Sequence, residues 1–110
     1  MTSLPLRDSL QADLSAAVRA RDTIRVKALR TTLAAISNAE AVDASQPVIR
    51  AGLLSDVARR ELTEDDVREI VEGERTQLSS TADEFRSLGR ADEADDLARQ
   101  SEILSRYLAD

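Results

Sequence analysis

Apolar residues return at helical spacing in four successive blocks of this chain. Leu6, Leu10, Leu14 and Ala17, with Val18 beside them, stand three and four residues apart and so share one face of a helix. Ser3 is the expected N-cap, with Pro5 in the first turn where its missing N–H is harmless. Arg19 to Arg21 end the block, placing positive charge at the negative end of the macrodipole. Asp22 then reads as the cap of a second helix running to about Val42. Its seam is Val26, Leu29, Leu33 and Ile36, at the three-four spacing that meets a partner helix, with Ala28, Ala34, Ala35 and Ala39 on its flanks. So short a connection predicts that the first two helices are antiparallel neighbours.

The pattern weakens from Asp43 to Leu62, where Ala44-Ser45-Gln46-Pro47 is turn-like and Val48, Ile49, Leu53, Leu54 and Val57 keep no sustained period. A long connection crossing the bundle, with one short helix, is the reading for this stretch. Thr63-Glu64-Asp65-Asp66 opens the third helix with a capping threonine and three acids at the positive helix end. Its stripe is Val67, Ile70, Val71, Glu74, Leu78, Ala82, Phe85 and Leu88, and it stops at Gly89, the residue type suited to a left-handed C′ position. The fourth helix spans about Ala91 to Leu108, with Ala94, Leu97, Ala98, Ser101, Leu104 and Leu108 inward. The expected fold is all-α: one domain over residues 1–110, an antiparallel four-helix bundle-like arrangement with a long connection between helices two and three.

Composition sharpens this picture. Aromatic residues are 2% of the 110 residues, only Phe85 and Tyr107. The core is therefore Leu, Val, Ile and Ala, which suits close-packed helices better than a sheet. Two prolines and three glycines imply few, long elements. The net charge of −6 argues against a nonspecific polyanion or DNA binder, which needs a clustered basic surface. Cysteine and histidine are absent. That excludes disulfides, a thiol nucleophile, a Ser-His-Asp triad and the commonest zinc ligands. No apolar run approaches the roughly 20 residues of a membrane span, and the start lacks the long apolar segment of a signal peptide. The expected compartment is the cytoplasm. No phosphate-binding glycine loop or nucleophile elbow is present, and no cofactor is expected.

Three charge patterns invite a functional reading. Glu74 lies inside the apolar stripe of helix three, and Arg30 borders the seam of helix two. A carboxylate facing a core needs a partner. A structural Arg30–Glu74 pair fixing register is the preferred reading over a functional charge site. Arg19, Arg21, Arg25, Lys27 and Arg30, with Arg7 nearby, form either a small phosphate-binding patch or a solvated face. Without interleaved aromatics, stacking on single-stranded bases is not expected. Asp83, Glu84, Asp92, Glu93, Asp95 and Asp96 surround Gly89, but their spacing is not that of a calcium loop. They read as a solvated face, with Arg90 in local salt bridges, and no metal site is expected.

Several segments together resemble the YqeY family, stand-alone relatives of the C-terminal part of the B subunit of glutamine-dependent tRNA amidotransferase (GatB/YqeY-like proteins). They are Leu29-Arg30 with Leu33, Ala35-Ile36-Ser37-Asn38-Ala39-Glu40, Arg60 to Val67, Phe85 with Gly89-Arg90, and Glu102 to Leu108. Members typically continue past the Tyr-Leu with a proline and a second, smaller helical part, whereas Ala109-Asp110 follow here. An arginine common in the family's third helix falls at Leu78. The resemblance implies a noncatalytic adapter linked to tRNA-dependent amidation or translation. The family label, carbon–nitrogen ligase with glutamine as amido-N-donor, belongs to chemistry carried by other domains and subunits. Expected partners are tRNA or an amidotransferase- or translation-related protein, with the chain a monomer or weak dimer. The residues expected to meet a partner or RNA are Arg25, Arg30, Asn38, Glu40, Arg75 and Arg90; Glu74, Gly89 and Tyr107 are expected to be structural. The alternative is a protein–protein interaction module with no RNA role.

Overall fold

In the computed structural model, residues 4–45 and 61–109 are described. Four helices occupy them: α1 Leu6–Ala20, α2 Thr23–Ser45, α3 Glu64–Ser87 and α4 Ala91–Leu108. The fold is all-α, built of two antiparallel hairpins. Residues 46–60 of the expected long connection lie outside the described residues, while Asp43 to Ser45 belong to the last turn of α2.

Local chemistry sets most helix ends. Asp22 caps α2: its Oδ1 accepts from the Arg25 N–H at 3.2 Å, and its carbonyl accepts the first helical bond, from Val26 at 2.9 Å. Thr63 and Asp66 form a reciprocal capping box at α3, each side chain accepting the other's backbone N–H at 3.0 Å. The start of α1 differs from expectation. Pro5 itself is the N-cap and offers no side-chain acceptor; the expected cap, Ser3, lies outside the described residues. An acceptor comes from elsewhere in the fold, as Leu6 N–H donates to Glu64 Oε2 at 2.8 Å.

Both hairpin turns have one backbone geometry. After α1, Asp22 N–H bonds the Ala17 carbonyl and Arg21 N–H the Val18 carbonyl. After α3, Arg90 N–H bonds the Phe85 carbonyl and Gly89 N–H the Arg86 carbonyl. This is the paired bonding of a Schellman turn, with a left-handed residue at its centre. Gly89 takes that position at φ 78°, and Arg21 takes it at φ 58°.

The α3–α4 hairpin is the most extensive pairing, and α1–α2 packs onto it mainly through α2 and α4. Lys27 reaches Asp96 at 3.3 Å, yet Arg25 sits beside Tyr107, eleven residues further along α4. Eleven residues of helix are about 16 Å, so α2 crosses α4 obliquely. The core draws on all four helices: Leu10, Ala28, Leu29, Ile36, Val67, Val71, Ile103 and Leu104. Thr32 is wholly buried within α2, and its hydroxyl donates to the Ala28 carbonyl at 2.8 Å, which satisfies it inside its own helix.

Six positions depart from the expected stripes, among them Thr32 and Ile103, which are buried though not assigned inward. Val18 is 48% exposed, and Leu88, at the hairpin tip, is 68% exposed. Leu88 lies immediately before the left-handed Gly89, and Val18 lies in the last turn of α1, three residues before the left-handed Arg21. Ala34 faces solvent, because α2 meets the rest of the molecule through its Leu29–Thr32–Ile36 side. Conversely, Gln100 is buried although polar, and it is held by donating to Asp96 Oδ1 at 2.7 Å.

Candidate functional site

The six residues expected to meet a partner do not converge. Arg25 lies at the start of α2, half-buried, with Nε 3.3 Å from Asp22 Oδ2 and the Tyr107 hydroxyl close by. Arg30 and Asn38 are exposed on α2. Glu40 is bound bidentately by Arg7 at 2.5 and 2.6 Å, tying the end of α2 to the start of α1. Planar fork-to-carboxylate pairing of this kind is the strongest ion-pair geometry available to arginine. Arg75 is half-buried in mid-α3, where its carbonyl accepts from Ser101 Oγ at 3.1 Å. Arg90 lies at the α3–α4 tip, its guanidinium 4.8 Å from the centroid of Phe85 and its Nε donating to Glu93 at 2.7 Å.

Among the three residues expected to be structural, Gly89 and Tyr107 sit at joints. Gly89 holds the left-handed turn. Tyr107 donates its hydroxyl to Asp13, joining the end of α4 to α1. Burial pushes the Tyr107 hydroxyl well above the ordinary phenol range, and the Asp13 hydrogen bond and charge add to this, while Arg25 acts in the opposite direction. Glu74 does face the interior in part, but the expected ion pair with Arg30 is not there: Arg30 points to solvent. Desolvation alone holds Glu74 above the usual glutamate range, with no cation contributing. The rotation of α2 that buries Leu29, Thr32 and Ile36 carries Arg30 to the far side.

A family model described as Yqey-like protein matches residues 7–110. The chain belongs to the YqeY-like family. No curated protein and no solved structure matches it.

Two surface features of this YqeY-like chain were not singled out by its sequence. At the start of α2, a depression of about 230 Å³ is lined by Asp22, Ile24, Arg99, Glu102, Ile103 and Arg106. Arg99 and Arg106 stand seven residues apart, two turns along one face of α4, and Arg21 adjoins Asp22. Arg21, Arg99 and Arg106 are all exposed. Their spacing is readable from the sequence, but their approach to the α1–α2 turn depends on the helix crossing. The second feature is a groove of about 340 Å³ bounded by α2, the end of α3 and the first half of α4, with Phe85 and Leu97 among its lining. Among the described residues, no helix is long and apolar enough to cross a membrane, and no group of three acidic, His or Cys side chains is placed to hold a metal.

Proposed function

We propose that this YqeY-like chain is a noncatalytic helical adapter connected with tRNA-dependent amidation, acting by holding a macromolecular partner. Family membership supports the connection, and the amidation chemistry itself belongs to other polypeptides. The observation that carries an RNA contact is that exposed Arg99 and Arg106 lie beside the N-terminal end of α2, where Asp22 and Glu102 share the lining and Arg21 is the residue before Asp22. Of the cations in the basic cluster that reads as either a phosphate patch or a solvated face, Arg7, Arg25 and Lys27 are already matched to Glu40, Asp22 and Asp96. The exposed arginines at this end, together with Arg30, are the ones left to meet a polyanion. About three phosphate contacts correspond to a log-log salt slope of about −2 to −3.

The test is binding of labelled total tRNA to the purified chain over a salt series, with an acidic polymer as competitor. Saturable binding that survives the competitor, and falls at least about tenfold in an Arg99→Glu, Arg106→Glu variant, is the expected outcome. Absence of binding at low salt would overturn the RNA contact. The second reading, a protein–protein interaction module, is favoured by a different observation, the apolar groove beside Phe85.

A further inference from the structure

The groove at the tip end of the α3–α4 hairpin combines an apolar floor with an acidic rim. Phe85 and Leu97, both half-buried, supply the floor. Lys27 lies on one side, and Asp92, Glu93 and Asp96 on the other. The rim charges are not equally engaged. Lys27 binds Asp96 at 3.3 Å through an exposed contact, and Gln100 also donates to Asp96. Arg90 binds Glu93 with its guanidinium at the Phe85 ring, so an incoming side chain displaces Lys27 and shares Phe85 with Arg90. Asp92 is exposed and makes no ion pair among the described residues. The acidic excess extends beyond the rim: Asp83, Glu84 and Asp95 flank the same turn, and of the nearby cations Arg86 is held by Asp95.

These features restrict what can lie there. Phosphate-rich ligands are repelled by the rim. A peptide bound by strand addition needs a sheet edge for its backbone, and the groove walls are helices whose backbone bonds are internal. A helix satisfies its own backbone and presents only side chains, and helix-in-groove docking uses an apolar stripe flanked by charge. The surface-exposed Lys27–Asp96 contact contributes little, since such pairs are worth about 1 kcal/mol or less, so an incoming cation can replace Lys27.

We propose that this groove receives a basic amphipathic helix of a protein partner, with an apolar side chain seated between Phe85 and Leu97 and a lysine or arginine one turn away at Asp92 and Asp96. The arginine gathering beside the start of α2 is lined by other residues, so this docking stands whether or not tRNA binds there. Charge complementarity selects the partner and speeds its approach, while the buried apolar contact holds it.

The test titrates the isotope-labelled full chain with a synthetic amphipathic helix of leucines and lysines, read by amide chemical shifts. Two control peptides accompany it: one with glutamate for lysine, one of scrambled order lacking the apolar stripe. Shifts confined to Lys27, Phe85, Asp92, Asp96, Leu97 and their neighbours are expected, with both controls at least about tenfold weaker. Asp92→Lys, at an exposed position remote from the core, is expected to weaken binding about tenfold, with the thermal melt lowered only slightly by the lost acid in the first turn of α4. Phe85→Leu, which preserves apolar volume, is expected to shift the contact without abolishing it. No binding, shifts spread over the whole acidic surface, equal binding of the scrambled peptide, or indifference to Asp92→Lys would each overturn the proposal. Shifts that vanish on diluting the free chain would assign the face to self-association and overturn it as well.

Discussion

Glu74 holds a carboxylate half-buried among Ile70, Val71 and Leu78 with no cation beside it. Its periodicity is plain in the sequence; its lack of an ion pair is not, because that depends on how α2 is rotated. Desolvation makes the folded chain bind the Glu74 proton more tightly than the unfolded chain does. The protonated form is thus the one the fold favours. Its contribution is fully present below the ordinary glutamate pKa and is lost as pH rises through the raised folded value. Glu74→Gln is therefore expected to be more stable than wild type at pH 7, by a few tenths of a kcal/mol because water still reaches the site. The two should coincide in urea melts at pH values below the glutamate range. Replacing Arg30 should leave this difference unchanged, whereas a strong Arg30–Glu74 coupling would contradict the geometry described.

At the scale of elements, the two hairpin turns share their hydrogen bonds but differ in their central residue. Gly89 announces its turn, since glycine is the residue for which φ near 78° carries no side-chain penalty. Arg21 adopts the same region at φ 58° in the same bonding pattern, and nothing in an Arg-Ala-Arg-Asp run signals it. A Cβ at Gly89 would meet no atom within 4 Å, so the cost of Gly89→Ala is conformational and not steric. That substitution is expected to destabilise by about 1 kcal/mol, and Arg21→Gly to be neutral or stabilising by up to about 1 kcal/mol. Chemical denaturation of both variants checks the pair; equal losses in both would show that the left-handed geometry is not the controlling feature. Helix starts divide the same way. Asp22 and Thr63 act as the caps their residue types suggest, whereas α1 takes its acceptor from Glu64, which is distant in sequence.

Across the whole molecule, a few polar contacts tie together residues far apart in the chain. Arg7–Glu40 joins the open ends of the first hairpin, and Tyr107–Asp13 joins the last turn of α4 to α1. Tyr107→Phe removes the hydroxyl's hydrogen bond to Asp13 together with its contact to Arg25, and is expected to cost about 1 kcal/mol. In a double-mutant cycle, Asp13→Ala should add little once the hydroxyl is gone, because both changes remove one interaction. Fully additive losses would mean that the contact does not join α1 to α4.

The helical class, the approximate extent of α3 and α4, the caps at Asp22 and Thr63, the glycine turn and most of the core are legible along the chain. Each depends on periodicity or on hydrogen bonds between residues close in the chain, so one sequence suffices to read it. Even there, Val18 and Leu88 were assigned inward by periodicity and face solvent, because a stripe does not show where its partner helix stops. Tertiary structure alone decided the oblique crossing of α2 and α4, the solvent side given to Arg30, the burial of Gln100 and the meeting of Lys27 with Asp96. It also decided which charges gather into surfaces: Arg99 and Arg106 beside the first turn, Asp92 and Asp96 around Phe85. Helical periodicity repeats identically for any rotation or crossing of a neighbouring helix, and only the packed core selects one of them.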